Sequence, residues 1–401
     1  MEWYGMNKRV VLFFVVAFLA ASCIVFPPVK SDVGIVVPDD YDTIQQAIDA
    51  AKDGERIYVR NGVYPENLVV NKSVSLIGEN MEKTKIIGNW SENYLRPITI
   101  NHDNVTVSGF GLVDSWTGVS LAKVSGCSVT GNKMVNNKYG IMVVSASGNT
   151  ITGNAIESAK FGAYGIELTR ASNNIIKGNQ ITATAEGIAL TDTLLSQNEV
   201  ITSQNNSILE NNIANCSDKA VWFKFTKENL LTGNTISNST IGLAVMWTDN
   251  NIVYHNNFLG NGLQVAGGVE PIFSGGSGVR YSICQWDNGK EGNYWSNYTG
   301  VDANHNGIGD TPHTINEKNT DNYPLMNPTT TPQLTPPAVD TYFPSSSPTP
   351  TLSPTPTATP PNSEPFPIGQ AIAIFASVMV ATVGLFVFFK KSFHKPEVPN
   401  L

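Results

Sequence analysis

A short segment bounded by two asparagines recurs along the middle of the chain and constrains its fold more than any other feature. The second asparagine of the segment recurs at intervals of 22, 25, 32, 23 and 22 residues. Each interval holds short β-forming runs separated by Gly and Asn, without the 3.6-residue periodicity of a helical repeat. Such a period predicts an all-β solenoid, a parallel β-helix in which each coil of about 22 residues stacks on the previous one. The second asparagines are Asn132, Asn154, Asn179, Asn211, Asn234 and Asn256.

The asparagine columns are predicted to mark the bends of the coils. Asn tolerates the left-handed backbone conformation that a sharp bend requires. Stacked side-chain amides also hydrogen-bond from one coil to the next. Contact with a ligand is the alternative role for these asparagines. Their register with the predicted core favours the structural role.

A column of small residues predicts which side chains point outward from one sheet. Each small residue opens a strand, the residues one and three positions later point into the core, and the residue between them points outward. The small residues are Gly140, Gly165, Gly187, Ala220, Gly242 and Gly262. The outward residues that follow them are Met142, Glu167, Ala189, Trp222, Ala244 and Gln264.

The next outward column, combined with this one, predicts an exposed strip that is the candidate carbohydrate-binding surface. The strip consists of Trp222, Lys224, Met246 and Trp247. Exposed aromatic rings stack on the apolar faces of sugars, and a long parallel sheet suits an extended polymer. The alternative is that a loop or the C-terminal tail covers the strip.

The two ends of the chain predict export and membrane anchorage. Residues 1–31 resemble a signal peptide, because a basic start is followed by an apolar run. An uncleaved anchor and a lipoprotein-type cleavage at Cys23 are the alternatives. Residues 368–389 form an uncharged stretch of 22 residues, enough to cross a hydrocarbon core of about 30 Å as a helix. The lysines that follow place the tail, residues 390–401, in the cytoplasm.

A stalk is predicted between the folded part and the membrane segment. Residues 327–367 are dominated by Pro, Thr and Ser, a composition that favours extended polyproline II. The protein is therefore expected at the extracellular face of the cell membrane, with a single C-terminal span. In the alternative, Glu364 to Pro367, the apolar run and the basic tail form a sorting signal that is cut and replaced by a lipid.

Charge, cysteine content and sequons narrow the function classes for the folded part, about residues 32–326. The formal net charge of −8 argues against a nucleic-acid partner. Beyond Cys23, the cysteines form an odd set without a disulfide framework or zinc spacing: Cys127, Cys216 and Cys284. Asn-x-Ser/Thr sequons suit an exported chain, although an Asn-rich sequence also produces such triplets by chance. The sequon asparagines are Asn71, Asn89, Asn104, Asn205, Asn215, Asn238 and Asn297.

A short helix is predicted to cover the N-terminal end of the solenoid. The segment Thr43-Ile-Gln-Gln46 reads as a capping box. One apolar helical face follows before Gly54 ends the pattern. The residues of that face are Ile44, Ala47, Ile48 and Ala51.

Two motifs resemble the NosD-like and pectin-lyase-like β-helix proteins. The first runs from Val36 to Ala51, followed by Gly62-Val-Tyr-Pro-Glu66. The second is Gly292-Asn-Tyr-Trp-Ser-Asn-Tyr-Thr-Gly-Val-Asp-Ala-Asn-His-Asn-Gly-Ile-Gly-Asp-Thr-Pro312, with Asp321-Asn-Tyr-Pro-Leu-Met326. The repeats between them are similar to those of carbohydrate-binding and sugar-hydrolysis proteins. The resemblance implies a right-handed parallel β-helix over residues 32–291 and a C-terminal capping module over residues 292–326, and it implies no particular reaction.

Two catalytic or metal-handling roles compete with simple binding. A NosD-like copper-maturation factor would need clustered ligands, and the histidines are scattered: His102, His255, His305 and His313. Copper is therefore not expected, and His255 is expected at a bend because it replaces the repeat glycine. A polysaccharide lyase or glycoside hydrolase is the other alternative. Glu167, Arg170 and Asp192 fall on neighbouring coils and could form a charged cluster, although a solvated ion pair is the commoner outcome.

A calcium loop is predicted in the C-terminal module, at Asp302, Asn304, Asn306, Ile308 and Asp310. Oxygen-bearing side chains at alternating positions, a glycine for the sharp turn and a backbone carbonyl reproduce the first part of an EF-hand loop. His313 stands where an EF-hand has its bidentate Glu, which leaves Asp321 as a candidate additional ligand. A polar turn that caps the last coil is the alternative, and calcium, where bound, would be structural.

These features together favour a non-catalytic surface protein that binds carbohydrate, mediates adhesion or forms part of a cell envelope. Its expected partners are an extracellular polysaccharide and, through the C-terminal helix, the membrane. A carbohydrate-active enzyme is the first alternative. A metal-maturation factor of the NosD-like type is the second.

Overall fold

The computed structural model describes residues 34–88, 96–192, 203–271 and 279–330. They form a right-handed parallel β-helix with three long sheets, here called A, B and C, and one short helix. Across these residues, no helix combines the length and apolar character needed to cross a membrane. The predicted signal peptide and the predicted span at residues 368–389 lie outside the described residues, as does most of the predicted stalk.

A typical coil contributes one strand to each long sheet, and neighbouring coils pair in parallel. Sheet A contains β1 (Ile35–Val37), β2 (Arg56–Val59), β5 (Ser75–Gly78), β8 (Thr106–Ser108), β11 (Ser128–Thr130), β14 (Thr150–Thr152), β17 (Ile175–Lys177), β20 (Ser203–Gln204), β21 (Ser207–Leu209), β24 (Thr226–Lys227), β25 (Leu230–Thr232), β28 (Asp249–Tyr254) and β33 (Ile283–Gln285). Sheet B contains β3 (Gly62–Tyr64), β6 (Thr84–Ile87), β9 (Gly111–Val113), β12 (Lys133–Val135), β15 (Ala155–Glu157), β18 (Gln180–Thr182), β22 (Asn212–Ala214), β26 (Thr235–Ser237), β29 (Asn257–Leu259) and β34 (Tyr294–Trp295).

Sheet C holds most of the six-residue strands. It contains β4 (Leu68–Val70), β7 (Ile98–Ile100), β10 (Thr117–Ala122), β13 (Tyr139–Val144), β16 (Tyr164–Thr169), β19 (Glu186–Thr191), β23 (Lys219–Lys224), β27 (Ile241–Met246) and β30 (Leu263–Gly267). Two antiparallel hairpins follow the last coils: β31 (Val269–Pro271) with β32 (Val279–Tyr281), and β35 (His313–Asn316) with β36 (Asn319–Asp321). The inward side chains of all three sheets form one continuous core, because a coil cannot bury its apolar face alone.

The predicted asparagine columns form two buried ladders along the rod. Asn179 is typical: its Nδ2 donates to the Ile151 carbonyl oxygen at 3.0 Å in the preceding coil and to Asn211 Oδ1 at 2.9 Å in the next. The Asn179 backbone N–H also donates to Asn211 Oδ1, at 2.9 Å. These contacts confirm the structural role of the ladder asparagines.

Of the two reasons proposed for asparagine at the bends, the one based on left-handed backbone angles is wrong. The left-handed residue is the one before each ladder asparagine, such as Gly153 with φ 61° or His255 with φ 55°. The ladder asparagines are selected for their amides, which satisfy buried backbone groups at the corner. His255 therefore occupies a bend, as expected from its place in the repeat.

The column of small residues lies where a larger side chain would collide with the next coil. A Cβ added to Gly165 would lie 2.5 Å from the Gly187 carbonyl oxygen and 2.6 Å from Ile181 Cγ2. The strands begin one residue earlier than predicted, at Tyr164 in this coil. The predicted alignment of the last coil is wrong by two residues, because the register keeps a 22-residue step and pairs Ala244 with Ala266.

The predicted N-terminal helix is confirmed as α1, Ile44–Ala50. The Thr43 side chain accepts a hydrogen bond from the Gln46 backbone N–H at 3.2 Å, which caps the first turn. The apolar face, including Ile44 and Ile48, is buried in the core. Glu66, at the end of the first family-like motif, accepts from the backbone N–H groups of Ile44 and Gln45, both at 3.0 Å. That motif therefore holds the lid on the first coils.

Candidate functional site

The outward face of sheet C is the candidate functional site. Strands β23 and β27 place three of the four predicted strip residues on it, because Trp222 pairs with Ala244 and Lys224 pairs with Met246. The side chains of Trp222, Lys224 and Met246 are half-buried. Trp247 lies beyond the end of β27, in a left-handed bend with φ 54°, and is thus at the corner rather than on the face.

Two lysines flank the Trp222 ring. Lys219 Nζ lies 4.6 Å from the ring centroid and Lys224 Nζ lies 5.1 Å from it. Both distances are within the range at which an ammonium group is attracted to an aromatic face. Sequence reasoning included Lys224 and missed Lys219, which lies at the start of β23. The result is an aromatic platform with two positively charged groups close to its ring.

A second column runs beside the platform along the edge of sheet C. Its members pair in register from coil to coil: Tyr139, Tyr164, Glu186 and Lys219. The two tyrosine rings are stacked, with centroids 5.1 Å apart and planes within 12° of each other. None of these residues was predicted as part of a site. Their shared position, one residue before the small-residue column, is the signal that could have identified them.

Glu186 is the most unusual group on this face. Only 7% of the residue is exposed, its Oε1 lies 3.5 Å from Lys219 Nζ, and its Oε2 has no hydrogen-bond partner. Burial raises the pKa of Glu186 to about 7, against the opposing effect of Lys219. A carboxyl group with this pKa can both give and take a proton near neutral pH.

The charged cluster predicted from the sequence is rearranged in the structure. Glu167 lies on the outward face, and burial raises its pKa although a hydrogen bond with Thr191 acts in the opposite direction. Asp192 is 2% exposed, and Arg170 is exposed at a left-handed bend with φ 52°. Burial raises the pKa of Tyr164, and the carboxyl groups of Glu186 and Glu167 on the neighbouring and same coils raise it further.

The predicted calcium loop folds as a compact turn around two side chains. Asp302 accepts from the backbone N–H of Asn306 at 3.1 Å and of Gly307 at 2.8 Å. Gly307 has φ 88°, which suits the sharp turn predicted there. Asp310 closes the loop by accepting from the Ala303 backbone N–H at 2.8 Å. The oxygens of Asp302 and Asp310, with those of Asn304 and Asn306, are thus gathered on one exposed turn.

Asp321 is not available to this loop. Its Oδ2 accepts from the Asn293 backbone N–H and from Trp295 Nε1, both at 2.8 Å. Its Oδ1 accepts from the Tyr323 backbone N–H at 3.1 Å. His313, at the position of the EF-hand Glu, stacks on Trp295 with centroids 4.8 Å apart. Asp321 and His313 therefore both contact Trp295 at the C-terminal end of the solenoid.

The histidines occupy unrelated surroundings. His255 Nε2 lies 2.6 Å from Glu291 Oε2, while the ring of His313 packs on Trp295. In the described part of the chain, no group of three or more His, Cys, Asp or Glu side chains is placed to hold a metal ion. The carboxylates and the cysteines of the rod are distributed along its length.

Comparison with known proteins agrees with this architecture. The family model of the right-handed β-helix region matches residues 33–198 and, in an overlapping second match, residues 93–258. The chain belongs to the right-handed β-helix family. The family matches stop before the calcium-like loop, which leaves the C-terminal module outside them.

Among curated proteins, a cell surface glycoprotein of Methanothermus fervidus is 36% identical over 89 residues, which is 22% of this chain and 14% of that protein. The chain thus corresponds to a small part of that relative. The surface adhesin PfbA of Streptococcus pneumoniae is 14% identical with a TM-score of 0.44, over 57% of this chain and 69% of the adhesin. An alginate lyase of Paenibacillus sp. is 13% identical with a TM-score of 0.39, over 60% of this chain and 94% of the lyase.

Proposed function

We propose that this β-helix protein acts at the cell surface and binds carbohydrate through the outward face of sheet C, without cleaving it. The observation that carries the proposal is the Trp222 ring with the ammonium groups of Lys219 and Lys224 at 4.6 and 5.1 Å from its centroid. A half-buried aromatic ring offers a flat apolar surface, and flanking charged groups can bond to hydroxyl or acidic substituents of a sugar. The surface glycoprotein relative supports the location.

The expected ends of the chain complete the proposal. An exported chain with a stalk at residues 327–367 and a span at residues 368–389 would hold the rod on the outer side of the membrane. The stalk, at about 3.1 Å per residue in polyproline II, could lift the rod on the order of 100 Å from the membrane. The sheet C face would then be accessible to polymers outside the cell.

Binding of the purified full-length protein to a panel of immobilised polysaccharides tests the proposal. We expect Trp222→Ala to weaken binding about tenfold, because the ring supplies the stacking surface. Tyr254→Ala is the matched control, since Tyr254 is a half-buried aromatic residue on sheet A. The proposal fails if no polysaccharide binds, or if both substitutions weaken binding equally.

A carbohydrate-active enzyme is the second candidate, and the Glu186–Glu167 pair favours it. Both carboxyl groups lie on the sheet C side of the rod, and burial raises the pKa of each. A proton donor near pH 7 beside a second carboxyl group is what glycosidic bond cleavage requires. Incubation with the same polysaccharides, followed by analysis of released oligosaccharides, tests this function. Product formation that Glu186→Gln abolishes would replace the binding proposal with the enzymatic one.

We further propose that the loop from Asp302 to Asp310 holds a structural calcium ion. The side-chain oxygens that the turn brings together, including two carboxylates, suit a hard cation. Only Asp302 and Asp310 contribute charge, so the affinity would be in the roughly millimolar range of extracellular modules. The ion would tie the loop to the end of the solenoid, and its chemistry would take no part in sugar binding.

A further inference from the structure

The asparagines of this chain fall into two classes that the fold separates. Every ladder asparagine is buried, for example Asn154 with 1% exposure. Each sequon asparagine within the described residues is exposed: Asn71, Asn104, Asn205, Asn215, Asn238 and Asn297. The ladder asparagines cannot form sequons, because the residue two positions after each one is a buried apolar residue, such as Ile156 after Asn154. The sequon asparagines lie instead on the surface of the rod.

Three of the sequons lie in one column at the corner between sheets B and C. Strands β22 and β26 pair Ala214 with Ser237, so that Asn215 and Asn238 are neighbours on adjacent coils. The pairing of Phe258 with Trp295 in β29 and β34 extends the register, and Asn297 falls in the same column two coils after Asn238. The column thus follows the long axis of the rod near its C-terminal end.

The hydroxyl residues of the same three sequons are also exposed: Ser217, Thr240 and Thr299. The hydroxyl residues of the other described sequons are half-buried: Ser73, Thr106 and Ser207. A modifying enzyme must reach both the asparagine amide and the hydroxyl residue two positions later. Among the sequons that the structure describes, those of the corner column are therefore the ones that are completely open to an enzyme.

We propose that Asn215, Asn238 and Asn297 carry N-linked glycans, which form a stripe along this corner. The donor would be an oligosaccharide linked to a lipid phosphate. The bond between the sugar anomeric carbon and the phosphate oxygen breaks, and a bond from that carbon to the asparagine Nδ2 forms. One Nδ2 hydrogen leaves as a proton, and the lipid phosphate departs with the electron pair.

The local geometry can accommodate the modification. Asn215 Nδ2 donates one hydrogen bond, to Thr182 Oγ1 at 3.3 Å, which engages one of its two N–H groups. Asn215 and Asn238 have φ of 56° and 50°, in left-handed bends at the outer edge of the coil. Glycans there would extend into solvent. They would also border the sheet C face, because Lys219 begins its strand four residues after Asn215.

Mass spectrometry of glycopeptides from the full-length protein, purified from its native cells, tests the stripe. The peptides that contain Asn215, Asn238 and Asn297 should carry a glycan mass on the asparagine. Substitution at the hydroxyl residue avoids straining the left-handed asparagine, which the longer Gln side chain would do. Thr240→Ala should therefore remove the glycan from Asn238, whereas the matched control Thr240→Ser, which keeps the sequon, should retain it.

The same pair of substitutions at Ser217, to Ala and to Thr, repeats the test at Asn215. A thermal melt of each variant, compared with the unsubstituted protein, shows whether it has kept its fold. The proposal is overturned if fewer than two of the three asparagines are modified, or if Thr240→Ala leaves the mass on Asn238 unchanged. Neither result depends on whether sheet C binds carbohydrate, so the two proposals stand or fall separately.

Discussion

Removal of one ladder amide should destabilise the rod far more than removal of an identical side chain next to it. In Asn211→Ala, the lost Oδ1 no longer accepts from the backbone N–H and the Nδ2 of Asn179, both at 2.9 Å. The lost Nδ2 no longer donates to the Ile176 carbonyl oxygen at 2.9 Å or to Asn234 Oδ1 at 3.0 Å. Because Asn211 is completely buried, water does not replace these bonds.

The magnitude follows from the groups left without partners. The Asn179 backbone N–H has a single hydrogen and is orphaned in the interior, at a cost of about 1–3 kcal/mol. The bonds to Ile176 and Asn234, and the side-chain bond from Asn179, contribute roughly 0.5–1.5 kcal/mol each. Since these bonds share donors and acceptors, we expect a total of about 3–5 kcal/mol rather than the full sum.

Urea denaturation of the purified full-length protein, followed by far-ultraviolet circular dichroism, measures the difference. The control is Asn212→Ala, because Asn212 is the next residue, is exposed, and points outward from β22. The control should change the free energy of unfolding by no more than about 0.5 kcal/mol. If Asn211→Ala costs no more than Asn212→Ala, the ladder is not a source of stability and the reasoning is refuted.

Three further predictions concern individual carboxylates. Burial raises the pKa of Glu186 from 4.5 to about 7, so the wild type should lose stability as pH rises through that window. Glu186→Gln should remove this loss, so the variant should become more stable relative to the wild type as pH rises from 4.5 to 7. Thermal melts that show no such increase would contradict the raised pKa of Glu186. Calcium at ten times its dissociation constant should stabilise the wild type by about 1.4 kcal/mol but not Asp302→Ala, and equal melting temperatures with and without chelator would exclude the site. Asp321→Asn should cost about 2–4 kcal/mol in urea denaturation, because its amide would turn an N–H group toward another donor. A neutral result there would show that the carboxylate is not required.

The repeat allowed most of the fold to be predicted. Asn154 and its copies recur because each coil must satisfy the same buried backbone groups, so periodicity alone predicted parallel stacking, the inward residues and the ladders. The N-terminal lid was predictable because Thr43 and Ile44 carry local capping and amphipathic signals. Such features depend on neighbours in sequence or on the repeat interval.

Features that depend on neighbouring coils were harder to predict. Glu186 is ordinary in its own segment, and its pKa is raised because burial among neighbouring coils outweighs the opposing effect of Lys219. The last coil was misaligned because a glycine at position 262 imitates the column, whereas the backbone pairs Leu243 with Val265. Leu263, predicted to point inward, is 56% exposed as a result. A single glycine is weaker evidence of register than the recurring ladder asparagines.

The ladder also explains why the C-terminal motif contains its particular residues. An asparagine amide both accepts and donates, so each ladder residue needs an acceptor in the following coil. At the end of the rod Asn293 has no further asparagine, and the Asp321 carboxylate accepts from its backbone N–H instead, at 2.8 Å. Trp295 donates to the same oxygen at 2.8 Å, and a Cβ on Gly292 would lie 1.8 Å from the other carboxylate oxygen. Asp321 thus contacts Gly292, Asn293 and Trp295, although it follows Asn293 by 28 residues in the sequence.

The two halves of the C-terminal motif therefore form one cap. A carboxylate suits this cap because the last member of the ladder must only accept hydrogen bonds. The family resemblance in this part of the chain therefore reflects how a solenoid ends. The candidate ligand-binding surface is the outward face of sheet C.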